Sequence, residues 1–293
     1  MKNIIVIGSM SIDLVVSASK RPGKGETVLG DDFFTTPGGK GANQAVAAAR
    51  LGEQVHMVGR IGEDDFGKEI YENLKNNNVI VSGVEPVTHS PSGTAHITLS
   101  EQDNSIIVVP SANNEVTPTF VQKHLESLSE GDIVLLQQEI PSETVEFVID
   151  YCSKNGLVSI LNPAPYREIS DSIIGKVDYL TPNETESDAM FKGDLDDALS
   201  AYPMKLIVTL GEKGAVYHNG HEKVQVDGFI RDVKDTTGAG DTFNGAFAVA
   251  LQKEYNLEKA LAFANLAASH SVTGMGAQSG MPTLEDIKGE WDV

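Results

Sequence analysis

From residue 118 onward the sequence repeats one pattern: a short apolar run, a polar cluster, then a stretch with helical periodicity. Apolar runs at 132–136, 157–161, 177–180 and 206–210 alternate with helical material at 118–128, 142–154, 184–191 and 195–201. Short runs with no polar side suit strands buried on both faces. Strands separated by helices pair in parallel through crossovers. The opening run, residues 2–7 closed by Gly8-Ser9, is one more such strand. The expected fold is α/β, a doubly wound, mostly parallel sheet with helices on both faces.

A second kind of pattern is set into the first half. Residues 12–16 and 27–36 are extended, with Pro22-Gly23-Lys24-Gly25 turning between them, and 94–100 and 105–109 flank a four-residue connection, Glu101-Gln102-Asp103-Asn104. No helix separates the members of either pair, so segments 12–36 and 94–109 are expected to form a small antiparallel sheet, a flap on the main one. Helices are expected at 42–51, stopped by Gly52, and at 65–76, with a strand at 54–59 between them. Ser142 is the expected N-cap of its helix. A hairpin at 216–226 turns around His218-Asn219-Gly220-His221, and helices at 240–253 and 257–273 follow. With no repeat and no long linker, residues 1–293 are expected to be one domain.

Charge narrows the function. The 293 residues carry 22 Lys+Arg against 42 Asp+Glu, a formal net charge of −20. A nucleic-acid binder needs a basic stripe to displace counterions, and an anionic membrane surface needs the same. Neither partner is expected. A phosphorylated ligand stays open, because a few local donors outweigh distant carboxylates. Cys152 stands alone, which excludes an internal disulfide and points to a buried structural thiol in a reducing compartment. No apolar run nears the ~18 residues of a membrane span and no cleavage pattern follows the first strand, so a cytoplasmic protein is expected.

The densest chemical signal is Asp235-Thr236-Thr237-Gly238-Ala239-Gly240-Asp241-Thr242-Phe243, running straight into a helix. Small residues there let the backbone approach a ligand, and first-turn amides aimed outward make an anion site. Asp241 has two readings, a base that takes a proton from an attacking hydroxyl or a charge that only offsets the helix dipole. A second cluster, Pro37-Gly38-Gly39-Lys40-Gly41-Ala42-Asn43-Gln44, also opens a helix. It lacks the Gly-Lys-Ser/Thr of a Walker loop, and no Gly-x-Gly-x-x-Gly follows a strand anywhere. Zinc and serine hydrolase patterns are absent too. His218 and His221 are expected to be solvated and His270 packed.

Further polar groups follow strand after strand. Ser11 and Asp13 follow the first, and Asp13 suits two neighbouring sugar hydroxyls or a plain turn. Glu139, Asn162-Pro163-Ala164-Pro165, Thr181-Pro182-Asn183-Glu184-Thr185-Glu186 and Thr209-Leu210-Gly211-Glu212-Lys213-Gly214 follow others. Asn183 and Glu186 fit either magnesium held through water and phosphate or a helix N-cap. All of these fall on the sheet edge where open α/β folds bind ligands.

Taken together, these stretches resemble the ribokinase, or PfkB-like, family of sugar kinases, from Gly8 to about Pro282. The glycine cluster at 38–44 and the stretch 235–241 look like its two signatures. The resemblance implies a Rossmann-like domain with a β lid, often paired with a second subunit's lid in a homodimer. It implies transfer of the ATP γ-phosphoryl group to the 5-hydroxyl of D-ribose, with Asp241 as base and the amides of Ala239 and Gly240 as anion hole. Asp13, Gly39, Lys40, Gly41, Asn43 and Glu139 match sugar-binding positions. Ser11 lies among them where the family commonly has Asn; serine is the shorter side chain, and the change bears on ribose preference. Asn183, Thr209, Gly211, Gly214, Gly240 and Asn265 match nucleotide positions, and Asn183 with Glu186 the magnesium and phosphate motif. Asp235 and Thr237, with the carbonyls of Ser271, Gly274, Gly276 and Gly280, match a loop for potassium, an activating monovalent cation. Rival readings are a kinase for deoxyribose, another pentose or a nucleoside, and a sensor that binds sugar or nucleotide without turnover.

Overall fold

A computed structural model describes residues 2–101 and 103–291. The first strand, β1 (Ile4–Ile7), is buried along its whole length, and the two-residue period of a strand divides it. Ile4 and Val6 enter one core while Ile5 and Ile7 enter another on the opposite face. There follow β2 (Ser11–Ser17), β3 (Asp32–Gly38), α1 (Lys40–Arg50), β4 (Val55–Gly62), α2 (Asp65–Asn76) and β5 (Ile80–Val87). The middle of the chain forms β6 (Gly93–Ser100), β7 (Asp103–Val109), α3 (Pro118–Leu125), β8 (Ile133–Leu136), α4 (Ser142–Asn155), β9 (Val158–Leu161) and α5 (Asp171–Lys176). The rest forms β10 (Tyr179–Leu180), α6 (Glu184–Phe191), α7 (Leu195–Ala201), β11 (Ile207–Thr209), β12 (Ala215–His218) and β13 (Lys223–Val226). It ends with α8 (Ala239–Gln252), α9 (Leu257–Ser271) and α10 (Leu284–Ile287).

Six strands make the expected parallel sheet in the order β10-β9-β8-β1-β4-β5. From β1 the chain builds first toward β4 and β5, then toward β8, β9 and β10, so the order reverses beside β1. That is where an open α/β sheet leaves a crevice at its carboxyl edge. Helices α1, α8 and α9 pack on one face, with Phe247 and Phe263 fully buried, and α3, α4 and α5 pack on the other. Beyond β10, the antiparallel group β11-β12-β13 continues the edge through parallel bridges at Leu180–Leu206 and Asn183–Thr209.

The second sheet has the order β3-β2-β6-β7. It is not wholly antiparallel as expected, because β2 and β6 run parallel. They are joined by a long excursion through the main sheet, so no hairpin forces them to oppose. Its outer members carry exposed apolar side chains: Phe33 is 60% and Ile107 69% exposed, and Ile106, Val108 and Val109 are also open.

Several boundaries differ from expectation. Residues 27–31 form no strand; β3 starts at Asp32. Asp103 and Asn104 belong to β7, paired with Ser100 and Leu99, while Gln102 of the expected connection lies outside the described residues. Ser142 is the first residue of α4 rather than its cap; Pro141 precedes it and no side chain caps the helix. Strand β5, edge-lying and interrupted by Gly83 and Pro86, and the short α5 and α10 lack a periodic signal. Cys152 is fully buried, and burial with nearby Asp178 pushes its thiol up to about 12.

Candidate active site

The glycine cluster opens α1 in the way its composition requires. Gly39 sits at the N-cap with φ 87°, and a Cβ there would lie 2.8 Å from Met10 Cα and from Ser11 N. A side chain would be strained twice, by backbone and by contact. This close approach sets the start of α1 against the turn after β1. There Glu139, three residues past β8, accepts from Ser9 Oγ at 2.5 Å and from Lys40 N at 3.0 Å. Three strand-end segments are thereby tied into one edge.

Helices α1 and α8 approach as closely. At Gly245 a Cβ would stand 2.7 Å from Gln44 O and 2.9 Å from Ala47 Cβ. With backbones this near, two amides of α1 reach the first turn of α8. Asn43 Nδ2 donates to Asp241 Oδ2 and Gln44 Nε2 to Asp241 Oδ1, both at 2.9 Å. Asp241 is buried, yet both carboxylate oxygens are bonded and the group borders a cleft of ≈ 220 Å³.

Carboxylates crowd this edge. Burial pushes the Asp13 carboxyl up to about 6, Glu139 and Asp241 add to the rise, and the Ser11 hydroxyl opposes it. The Lys40 ammonium, which lines the cleft, is raised chiefly by Asp241, against burial, with smaller contributions from Glu139 and Glu186. One cation thus serves three nearby acids. Ser11 pairs in register with Gly38 and Gly93, so the sugar-site candidates Ser11, Asp13, Gly39, Lys40, Gly41, Asn43 and Glu139 come together where the small sheet leaves the large one.

At the start of α8, Gly238 is the N-cap with φ 81°, and no side chain caps the helix. The Ala239 N–H turns back to Thr236 O at 3.2 Å, while among the described residues nothing accepts from the Gly240 or Asp241 N–H. The free donors therefore lie one residue later than expected. A Cβ on Gly240 would meet nothing within 4 Å, so the space before these amides is open.

A second cavity of ≈ 360 Å³ adjoins the first; Thr209, Thr236 and Gly240 line both. Gly211, Gly214 and Asn265 line it, joined by Phe229 and Arg231, which carry no motif of their own in the sequence. Asn265 Nδ2 is spent on Val226 O at 2.9 Å and Asp227 O at 3.2 Å, holding the wall in place. Asn183 faces the smaller cleft instead. It forms a reciprocal cap with Glu186: Glu186 N donates to Asn183 Oδ1 at 2.8 Å and Asn183 N to Glu186 Oε2 at 2.9 Å. The helix-cap reading of that motif is therefore realised, and Glu186 still lines the cleft.

In the loop 235–237, Asp235 accepts from Thr237 N at 2.9 Å, Thr237 Oγ1 at 2.6 Å and Gly276 N at 2.8 Å. Burial raises its carboxyl, but these bonds outweigh it and leave the group lowered and ionised. Gly274 and Gly280 press together, a Cβ on Gly280 falling 2.0 Å from Ser271 O. His270 is not packed in apolar surroundings as expected; its Nε2 lies 3.1 Å from Glu290 Oε1 and from Arg231 NH2. Among the described residues no cluster of three His, Cys, Asp or Glu side chains suits a metal ion.

A model of the pfkB family of carbohydrate kinases matches residues 1–284. The chain is 54% identical to the ribokinase of Bacillus subtilis (strain 168), over 98% of this chain and 99% of that one. It is 37% identical to the deoxyribokinase of Salmonella typhi, over 97% of each. The structure of Arabidopsis thaliana ribokinase complexed with ribose and ATP matches with a TM-score of 0.90 at 34% identity, covering 99% of this chain and 98% of that one. Fold, site and these likenesses define a carbohydrate kinase. The chain belongs to the pfkB family.

Proposed function

We propose that this enzyme transfers the γ-phosphoryl group of ATP to the 5-hydroxyl of D-ribose, giving D-ribose 5-phosphate and ADP. The observation that carries this reading is the placing of Asp241. Its carboxylate is held by two amides, beside free N–H groups of its own helix turn and on the wall of the smaller cleft, which the larger cavity adjoins through Gly240. In that position it takes the proton of the attacking hydroxyl, and the Gly240 and Asp241 amides with Lys40 stabilise the charge on the moving phosphoryl group. Asp13, Asn43, Glu139 and Ser11 hold the sugar hydroxyls. The larger cavity takes the nucleotide, its adenosine against Phe229 and the Thr209–Gly214 turn.

Two cations belong to this reading. Magnesium keeps most of its water and is held through phosphates rather than by a protein cage. Such an ion needs few side chains, and Glu186 Oε1, on the cleft and outside the cap, is free to meet its water shell. It would neutralise phosphate charge. Potassium takes hard oxygen donors, which the ionised Asp235, Thr237 and the closely folded carbonyls of Ser271, Gly274, Gly276 and Gly280 supply in kind. It would stiffen the loop leading into α8.

The sheet β3-β2-β6-β7 is read as a lid within one domain, because β2 follows β1 directly and Ile12 belongs to the main core. Its open apolar side chains suit a second copy of the chain, in a homodimer joined through the lids. The lone thiol suits a reducing compartment, and we place the enzyme in the cytoplasm. Deoxyribose is the competing substrate that Ser11 favours, since a hydroxyl reaches less far than the amide common in the family. ADP release with Mg-ATP and D-ribose, deoxyribose, fructose or adenosine, in potassium and then sodium buffer, decides among these. Fast turnover on ribose supports the reading; faster turnover on deoxyribose or adenosine transfers it to that substrate, and none on any supports the sensor.

A further inference from the structure

A carboxamide has a donating end and an accepting end of nearly equal size, so its neighbours decide which way it faces. Beside Asp241 two such groups are each held from behind. Gln137, the first residue past β8, donates through Nε2 to Gln44 Oε1 at 2.6 Å. That leaves Gln44 only its nitrogen to turn forward, and Nε2 donates to Asp241 Oδ1 at 2.9 Å and to Asn162 Oδ1 at 3.2 Å. On the other arm Gln278 Nε2 donates to Asn43 Oδ1, and Asn43 Nδ2 donates to Asp241 Oδ2, both at 2.9 Å. All four amides are buried, Gln44 and Gln137 completely.

We infer that Gln137 and Gln278 are positioning residues that lock the polarity of Gln44 and Asn43, so that both present N–H to the carboxylate of Asp241. Neither touches a reacting atom. The inference rests on the reading of Asp241 as base. Reversal of either inner amide would set a carbonyl oxygen against a carboxylate oxygen in a buried place, and Asp241 would rotate away from the hydroxyl it serves. Gln137 carries a further sign of this duty. Its Oε1 is buried without a partner among the described residues, within 2.0 Å of where a Cβ on Gly8 would stand. An unpaired buried acceptor is a cost that an apolar residue of the same shape would avoid. The donor end of Gln137 accounts for keeping it.

The test compares Gln137→Leu and Gln137→Glu with the parent enzyme, by kcat and ribose KM from pH 6 to pH 9. Leucine lacks the donor at every pH, so kcat falls about tenfold, well inside the ~10²-fold that a 1 Å misplacement costs, and KM stays within threefold. A glutamic acid donates only while protonated, so Gln137→Glu outperforms Gln137→Leu at low pH and loses that advantage on ionising. If the Leu variant does not fold, Gln278→Glu gives the same reading from the other arm through the pH dependence of kcat alone, because Asn43 also meets the sugar. The inference is overturned by a Leu variant within twofold of parental kcat, by a KM that rises as far as kcat falls, or by a Glu variant never better than the Leu variant. Asp241→Asn, measured alongside, separates the two claims. If it keeps parental turnover, the base assignment fails. If it is inactive while the glutamine variants are unimpaired, only the lock fails.

Discussion

Asn43 and Asp241 stand 198 positions apart in the chain, and the Nδ2 of one donates to the Oδ2 of the other at 2.9 Å. The bond joins the two glycine-rich segments that dominate the sequence. It exists because α1 and α8 touch through Gly245 and the alanines of α1, where any larger residue would push the helices apart. Small residues in the core thus act at the site, by bringing donors from one end of the chain to the carboxylate at the other.

The pH response should follow Asp13. Its carboxyl, raised by burial and by Glu139, is held at about 6 in the ligand-free enzyme, above its ordinary value of 3.8. Sugar hydroxyls bond the ionised form better, so kcat/KM for ribose is expected to fall as pH drops through about 6. The stability sign is opposite. A native value above the unfolded one favours folding while the proton is kept, fully below 3.8, and that advantage disappears as pH rises through 6. Asp13→Asn is therefore expected to stabilise the ligand-free protein by roughly 1–3 kcal/mol at pH 8 and not at all below the unfolded value, while raising ribose KM. Urea unfolding at the two pH values checks the first effect and steady-state kinetics the second.

Two neighbouring glycines should respond in opposite ways. A Cβ at Gly238 would lie 2.5 Å from Ala277 O on a backbone of positive φ, so Gly238→Ala is expected to cost about 1–3 kcal/mol of stability. Gly240 has room for a methyl and ordinary φ, so Gly240→Ala should fold as well as the parent or better. Its methyl would occupy the space before the free amides, and kcat/KM for ATP is expected to drop at least about tenfold. Thermal unfolding paired with ATP kinetics distinguishes the two.

Replacing potassium by sodium should lower turnover without changing the fold. Asp235→Ala, which removes the carboxylate bonded by Thr237 and Gly276, should turn over slowly and equally in both salts. An Asp235→Ala variant that still responds to potassium would remove Asp235 from the proposed cation site.

Charge introduced on the open apolar strands should prevent the proposed lid-to-lid pairing. Phe33→Asp combined with Ile107→Asp is expected to sediment as a monomer in equilibrium ultracentrifugation, while the parent sediments as a dimer. A parent that is monomeric at all concentrations would contradict the lid-to-lid pairing.

Much of this was legible in the sequence for identifiable reasons. Strands such as β1 and β8 are short apolar runs and fall inside the expected segments, while α2, α6 and α7 have clear ends and the expected bounds. The site candidates clustered because parallel strands all end on one edge. What the sequence hides depends on contacts between distant segments. Gln137 looks like any polar residue after a strand until the fold brings Gln44 against its amide. Ser9 gains meaning only from Glu139, 130 positions away. The Ala239 amide was expected in the anion hole, and only the tight turn at Gly238 draws it back to Thr236. Strand β5 was missed because an edge strand broken by glycine and proline carries little alternation.

The most direct test is ADP release with Mg-ATP and D-ribose by the parent enzyme and by Asp241→Asn, with ribose affinity measured by calorimetry. The expected result is a turnover at least about 10² lower in the variant with ribose affinity retained, the signature of a lost base. Turnover near the parent's in Asp241→Asn would contradict the account.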